Sequence, residues 1–175
     1  FHSSIFGVAV DIGTTTIAVH LCDLNSGEVI ASAGSMNPQI RYGEDLMSRV
    51  AYIMMHPDKA EELTSVIRTG INKLLAEICS ENCIEKYNLL HASIVCNPIM
   101  HHLFLGINPV ELGTAPFSLA TNNNLTFFAN ELQIQEMNNS APIYFLPCIA
   151  GHVGADTAGV IISEMPHLSK KITLI

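Results

Sequence analysis

Apolar residues run from Ile5 to Val10 and stop at Asp11; a second β-branched run, Ile17-Ala18-Val19-His20-Leu21, follows a short polar break. With a third such run, this pattern predicts strands over about 5–11, 16–22 and 28–35. Asn25-Ser26-Gly27 is a turn signal between the second and third, so the three should form an antiparallel meander. Beyond Asn37-Pro38 the period changes. Leu46, Met47, Val50, Ile53 and Met54 recur at helical spacing over about 44–55, and Glu44 and Asp45 suit its dipole at the start. His56-Pro57-Asp58 breaks that helix and opens the next, whose stripe runs Leu63, Val66, Ile67, Ile71, Leu74, Leu75 and Ile78. A short buried strand follows from Ala92 to Cys96. Asn97-Pro98 then caps a helix through Leu105, closed by Gly106. Residues 106–140 read as an irregular polar insertion holding a small hairpin near 125–129. A strand at about 143–148 leads through Gly151-His152-Val153-Gly154 to a last helix at about 154–164. The methionines Met47, Met54, Met55 and Met100 read as packing residues.

The order β-β-β-α-β-α-β-α predicts one α/β domain with a mixed five-stranded sheet, covered by helices on both faces. A chain of 175 residues, 49% apolar and 14% charged, is large enough for a single core. The net charge of −8 and the lack of any Lys/Arg cluster beyond Lys170-Lys171 disfavour nucleic acid and anionic membranes as partners. No apolar run approaches the length of a bilayer span. The five cysteines are odd in number and scattered, without zinc or iron–sulfur spacing, and read as free thiols in a reducing cytoplasm. The start at Phe1-His2-Ser3-Ser4 and the stop at Ile172-Thr173-Leu174-Ile175, which reads as the opening of a strand, suggest a piece of a longer protein.

Asp11-Ile12-Gly13-Thr14-Thr15-Thr16 carries the most chemistry. A strand ends in a carboxylate, a glycine gives the backbone room to approach an anion, and three hydroxyls follow before the second strand. The combination describes a phosphate cradle beside an acid suited to organising Mg²⁺. Gly13, Thr14, Thr15 and Thr16 are the expected donors to β- and γ-phosphates. Gly151 and Gly154 precede a helix N-terminus, a second place where an anion is favoured. Asp156 is either a catalytic acid or a dipole-favourable acid in the first helical turn. His101-His102 cannot chelate easily from adjacent helical positions and reads as core, and Asn97 reads as an N-cap.

The element order matches the ribonuclease-H-like fold, and Asp11 to Thr16 on a strand–turn–strand resembles the first phosphate motif of the actin, sugar-kinase and chaperone ATPase superfamily. Further segments narrow the resemblance: Asn37-Pro38-Gln39 with Tyr42-Gly43-Glu44-Asp45 and Ser48-Arg49; Asn97 to Gly106; Asn108-Pro109, Leu112-Gly113 and Ala115-Pro116-Phe117; and Leu146 to Thr157. Together they resemble the ATPase region of reductive activators of corrinoid proteins, along nearly the whole chain. The resemblance implies one lobe of an actin-like ATPase that binds ATP and Mg²⁺. It further implies that ATP hydrolysis drives reduction of cob(II)amide to cob(I)amide in the corrinoid protein of a methyltransferase system. Electrons would pass through a 2Fe–2S cluster carried outside this segment. The second phosphate loop would follow Ile175. The helix after Gly154 would be the superfamily's first connecting helix, where Asp156 or His152 positions water or couples hydrolysis to lobe closure.

Two other functional readings stay open: half of a sugar or acyl kinase, and a docking or homodimerisation module with the same fold and no catalysis. A ribonuclease-H-like nuclease is set aside, since Cys96-Asn97 stands where its fourth-strand acid is needed.

Overall fold

The alternation of the first three runs closes into an antiparallel meander because one side of each strand is apolar. The computed structural model describes residues 5–168, so the strand expected at 172–175 and Lys170-Lys171 lie outside the described residues. Strand β1 (Phe6–Ile12) pairs with β2 (Thr16–Asp23), and β2 with β3 (Val29–Met36). Val8, Val10, Ile12, Ile17, Val19 and Leu21 are buried on one face. Ala9, Asp11 and His20 alternate onto the other, where Asp11 lies opposite Ala18 and Ala9 opposite His20. The β2–β3 turn is fixed by Asp23, whose carboxylate accepts from the N–H groups of Asn25 (2.7 Å) and Ser26 (3.2 Å), with Gly27 at φ +79°.

Helices α1 (Leu46–Met55) and α2 (Ala60–Glu81) cross over to β4 (Leu89–Cys96), which pairs in parallel with β1. Helix α1 begins two residues later than the periodicity suggests, because Asp45 is its N-cap and accepts from the Ser48 N–H and hydroxyl, both at 2.8 Å. In α2 the stripe Leu63, Ile67, Ile71, Leu74, Leu75 and Ile78 is buried against the sheet. Helix α3 (Pro98–Leu105) is capped by Asn97 and stops at Gly106 in a left-handed conformation (φ 75°). The methionine reading holds for Met100, which is buried, and fails for Met47, Met54 and Met55, which are exposed along α1.

The sheet has six strands, not five, in the order β3-β2-β1-β4-β6-β5. The expected local hairpin near 125–129 is a single strand, β5 (Leu125–Phe128), pairing antiparallel with β6 (Pro142–Phe145). A nonlocal apolar contact selects this pairing: the Phe127 ring meets the Phe145 ring edge-on at 6.2 Å. The segment 106–140 also buries Leu112, Ala129, Leu132, Ile134 and Met137, so part of the core comes from it. Strand β6 is parallel to β4, and helix α4 (Ala155–Glu164) packs on β4. The architecture is therefore mixed α/β, with a mixed sheet and helices. Among the described residues no helix is long and apolar enough to cross a membrane.

Candidate active site

The loop between β1 and β2 is closed by Gly13. Its N–H donates to the Thr16 carbonyl at 2.9 Å, and a Cβ there would lie 2.7 Å from that same oxygen. This corrects one expectation: the Gly13 N–H is committed inside the loop and is not free for a phosphate. The next two amides are different. Thr14 and Thr15 N–H groups make no hydrogen bond among the described residues.

The loop carbonyls, in contrast, are all held. Asn37 Nδ2 donates to Gly13 O at 2.8 Å, Arg49 Nη2 to Thr14 O at 2.6 Å, and the Asn37 N–H to Thr15 O at 2.7 Å. Asn37, Gln39 and Arg49 are each 0% exposed, so this support lies entirely beneath the loop. The network is internally satisfied. Gln39 N–H donates to Asn37 Oδ1 (2.9 Å), Gln39 Nε2 to Leu63 O (3.0 Å), and Arg49 Nε to Gly43 O (2.9 Å). Arg49 Nη1 lies 3.3 Å from Met100 Sδ. Burial works against the Arg49 charge and lowers its pKa, with Asp45 opposing that shift. Across the loop, Asn97 caps α3 through its Oδ1 (Met100 N–H, 3.0 Å) and reaches the Thr14 hydroxyl with Nδ2 (3.3 Å).

In the sequence Asn97 reads as a cap alone, and nothing there marks Asn37 or Gln39 as part of the site. A signal existed for Arg49: it lies three residues after Leu46 and four before Ile53, on the stripe of α1 that also buries Val50. A cation on an apolar stripe needs partners, and here they are loop carbonyls.

The second half of the site is the start of α4. Gly154 is its N-cap. A Cβ at Gly154 would lie 2.6 Å from both Cys96 O and Asn97 Cα, so glycine lets this helix end abut the C-terminal end of β4. Asp156 sits in the first turn, its Oδ1 accepting the Thr157 N–H at 2.7 Å. A cleft of about 500 Å³ is lined by Asp11, Val95, Asp156, Thr157, Gly159, Val160 and Ser163. Asp11 and Asp156 thus share one cleft. Partial loss of hydration raises the Asp11 pKa, the Asp156 charge adds to the rise, and His20 opposes it. Thr15 and Thr16 are exposed.

Gly151 is not part of this cleft lining. It lies in the Ala150–Val153 turn with the Phe117 backbone packed where its Cβ would be, and the His152 ring lies tilted against the Phe117 ring, with centroids 4.1 Å apart. Both residues tie segment 106–140 to the approach of α4. His101 and His102 are buried as expected for core. His102 Nδ1 bonds to Pro98 O at 2.8 Å and Nε2 accepts the Ala120 N–H at 3.2 Å, a pairing that assigns the neutral Nδ1–H tautomer.

The fold is a mixed α/β domain in which Asp11 is followed by two loop amides, Thr14 and Thr15, without a hydrogen bond among the described residues, and Asp11 and Asp156 line one cleft. Residues 6–168 match the family described as the RACo middle region, and the chain belongs to that family. It is 31% identical over 164 residues to the corrinoid activation enzyme RamQ of Eubacterium limosum, a match covering 90% of this chain and 26% of that protein. A solved structure of a reductive activator for corrinoid, iron–sulfur protein superposes with a TM-score of 0.94 at 36% identity, over 99% of this chain and 28% of that one. The chain therefore spans about a quarter of the length of these relatives.

Proposed function

We propose that this chain is the ATP-binding lobe of a longer protein that uses ATP hydrolysis to drive reductive activation of a corrinoid protein. On this reading the fold is one ribonuclease-H-like lobe of an actin-like ATPase. The partner is the corrinoid protein of a methyltransferase system, returned from cob(II)amide to cob(I)amide. Electrons come through a 2Fe–2S cluster outside this segment, and the setting is the cytoplasm. Two relatives whose names state corrinoid activation support the biological role.

The observation that carries the ATP reading is the loop: Thr14 and Thr15 amides without a hydrogen bond among the described residues, carbonyls turned inward, and Asp11 two residues before Gly13. The residues fit an Mg²⁺–phosphate group. Two unpaired N–H groups and the Thr14, Thr15 and Thr16 hydroxyls are donors for phosphate oxygens. Asp11 and Asp156 provide one or two carboxylates, the number Mg²⁺ takes when phosphates and water supply its other ligands. When bound, Mg²⁺–ATP supplies an activated phosphoanhydride whose γ-phosphoryl is transferred to water. Asp11 would hold the metal through water, and Asp156 would orient the attacking water at the mouth of the cleft. The α4 N-terminus, seated by Gly154 against the end of β4, adds a helix dipole end that favours negative charge. The test is Mg²⁺-dependent ATP hydrolysis by the full-length protein, stimulated by its corrinoid partner. Absence of nucleotide binding in that protein would remove the reading.

A further inference from the structure

We infer that buried Arg49 and Asn37 are positioning residues that aim the β1–β2 loop, and that the Arg49 charge makes the loop select polyphosphates over uncharged nucleosides. The inference rests on the phosphate reading of the loop and adds the device that would create it.

In a trans peptide the C=O of one residue and the N–H of the next point in opposite directions. Asn37 Nδ2 holds the Gly13 carbonyl inward, so the Thr14 N–H of the same peptide must face outward. Arg49 Nη2 holds the Thr14 carbonyl inward, which turns out the Thr15 N–H. The two amides that remain unbonded are those whose carbonyl partners are gripped from below. Each grip comes from a side chain with no exposed surface, which water does not replace.

The charge adds a second effect. Arg49 makes no salt bridge with any described acid, and its partners are two backbone carbonyls, the Gln39 amide oxygen and a thioether. Its closest electrostatic counterpart, Asp45, is exposed and occupied with Ser48. A buried cation without a contacting anion is costly and little screened. It polarises the Thr14–Thr15 peptide toward a stronger outward donor. An anion seated on that donor supplies the missing counter-charge, so affinity should grow with ligand charge. Lysine would keep the charge but not the planar fork that spans the Gly43 and Thr14 carbonyls.

The test uses the full-length protein with R49M, R49K and N37D, each checked for native circular dichroism. Asp at position 37 keeps the cap to Gln39 while removing the amide donor to Gly13. Two readouts are taken: dissociation constants for Mg²⁺–ATP and for adenosine, and exchange of the Gly13 amide hydrogen relative to β1 amides. R49M and N37D should weaken ATP by at least about tenfold while adenosine stays within about twofold, with R49K between R49M and the unaltered protein. Gly13 exchange should accelerate in R49M and N37D without any ligand. Equal loss of ATP and adenosine, or unchanged ATP affinity in both folded variants, overturns charge selection. Unchanged Gly13 exchange in both overturns the positioning role. If the unaltered protein binds no ATP, the proposed function and charge selection fall together, while exchange still decides positioning.

Discussion

Asp11, one residue before the end of β1, and Asp156, in the first turn of α4, line the same cleft, and the Asp156 charge helps to raise the Asp11 pKa. These two carboxylates are 145 residues apart in sequence (156 − 11) and are brought together because β4 is parallel to β1 and α4 starts at the C-terminal end of β4. Repulsion between them is the electrostatic signature expected where a divalent cation is to be held.

That repulsion is measurable. The folded state holds the Asp11 proton more tightly than the unfolded chain, so this group favours folding at low pH. It opposes folding as pH rises from the ordinary 3.8 through the raised value. D156N removes one cause of the rise, and the Asp11 carboxyl titration, followed by NMR, should move to lower pH. Because Asp11 is exposed, the accompanying stability change should stay below about 1 kcal/mol. An unmoved titration would separate the two carboxylates.

His101 gives the opposite pH dependence. Burial, with His102 beside it, lowers its pKa from 6.5 to about 4, and neither ring nitrogen has a hydrogen-bond partner. The unfolded chain therefore binds the proton more readily between these values. Stability should be full above pH 6.5 and fall as pH drops toward 4, by about 3 kcal/mol from this residue alone. H101F retains a ring against Phe145 and removes the titration, so its acid branch in denaturant melts should be flatter than that of the unaltered protein. An identical acid branch would contradict the assignment.

Gly154→Ala tests the seat of α4. The added methyl would meet backbone atoms of Cys96 and Asn97 at 2.6 Å, and neither can swing away as a flexible side chain would. The cost should be about 1–3 kcal/mol in urea unfolding, with weaker nucleotide binding because α4 is displaced from the loop. A neutral substitution would show that α4 does not need this approach.

Much of the architecture was legible because it is local. The β1–β3 meander shows in alternation, α2 in its stripe, and α3 in its Asn-Pro start and Gly stop. The extended stretch that forms β5 was legible as part of a small hairpin near 125–129, but its partner was not: the segment is asparagine-rich, and its pairing with β6 is decided by Phe127 against Phe145. Asp11 and the loop hydroxyls stood out because strand, acid and glycine are contiguous. Asn37 and Arg49 did not, since their role depends on a nonlocal approach to carbonyls that sequence does not display. Gly151 and Gly154 looked alike in sequence, and only packing separates them: one lies against Phe117, the other against the end of β4.

The 175 residues alone should bind ATP weakly, with a dissociation constant of about 1 mM or higher, equivalent to about 4 kcal/mol. The cleft joins two aspartates and the Thr157 and Ser163 hydroxyls to only two valines, Val95 and Val160, so an adenine enclosed on both faces would need further apolar walls. Calorimetry with Mg²⁺ and ATP measures this directly. Micromolar binding would mean that this chain carries the whole nucleotide site.

The proposed role of Asp11, organising the metal of an ATP-hydrolysing site, is tested most directly by Mg²⁺-dependent ATP hydrolysis of the full-length protein carrying Asp11→Ala. Hydrolysis should fall by about two orders of magnitude or more. Circular dichroism should be unchanged, and stability should move by about 1 kcal/mol or less, as expected of an exposed carboxylate. Hydrolysis at the unaltered rate in the folded variant would contradict the account.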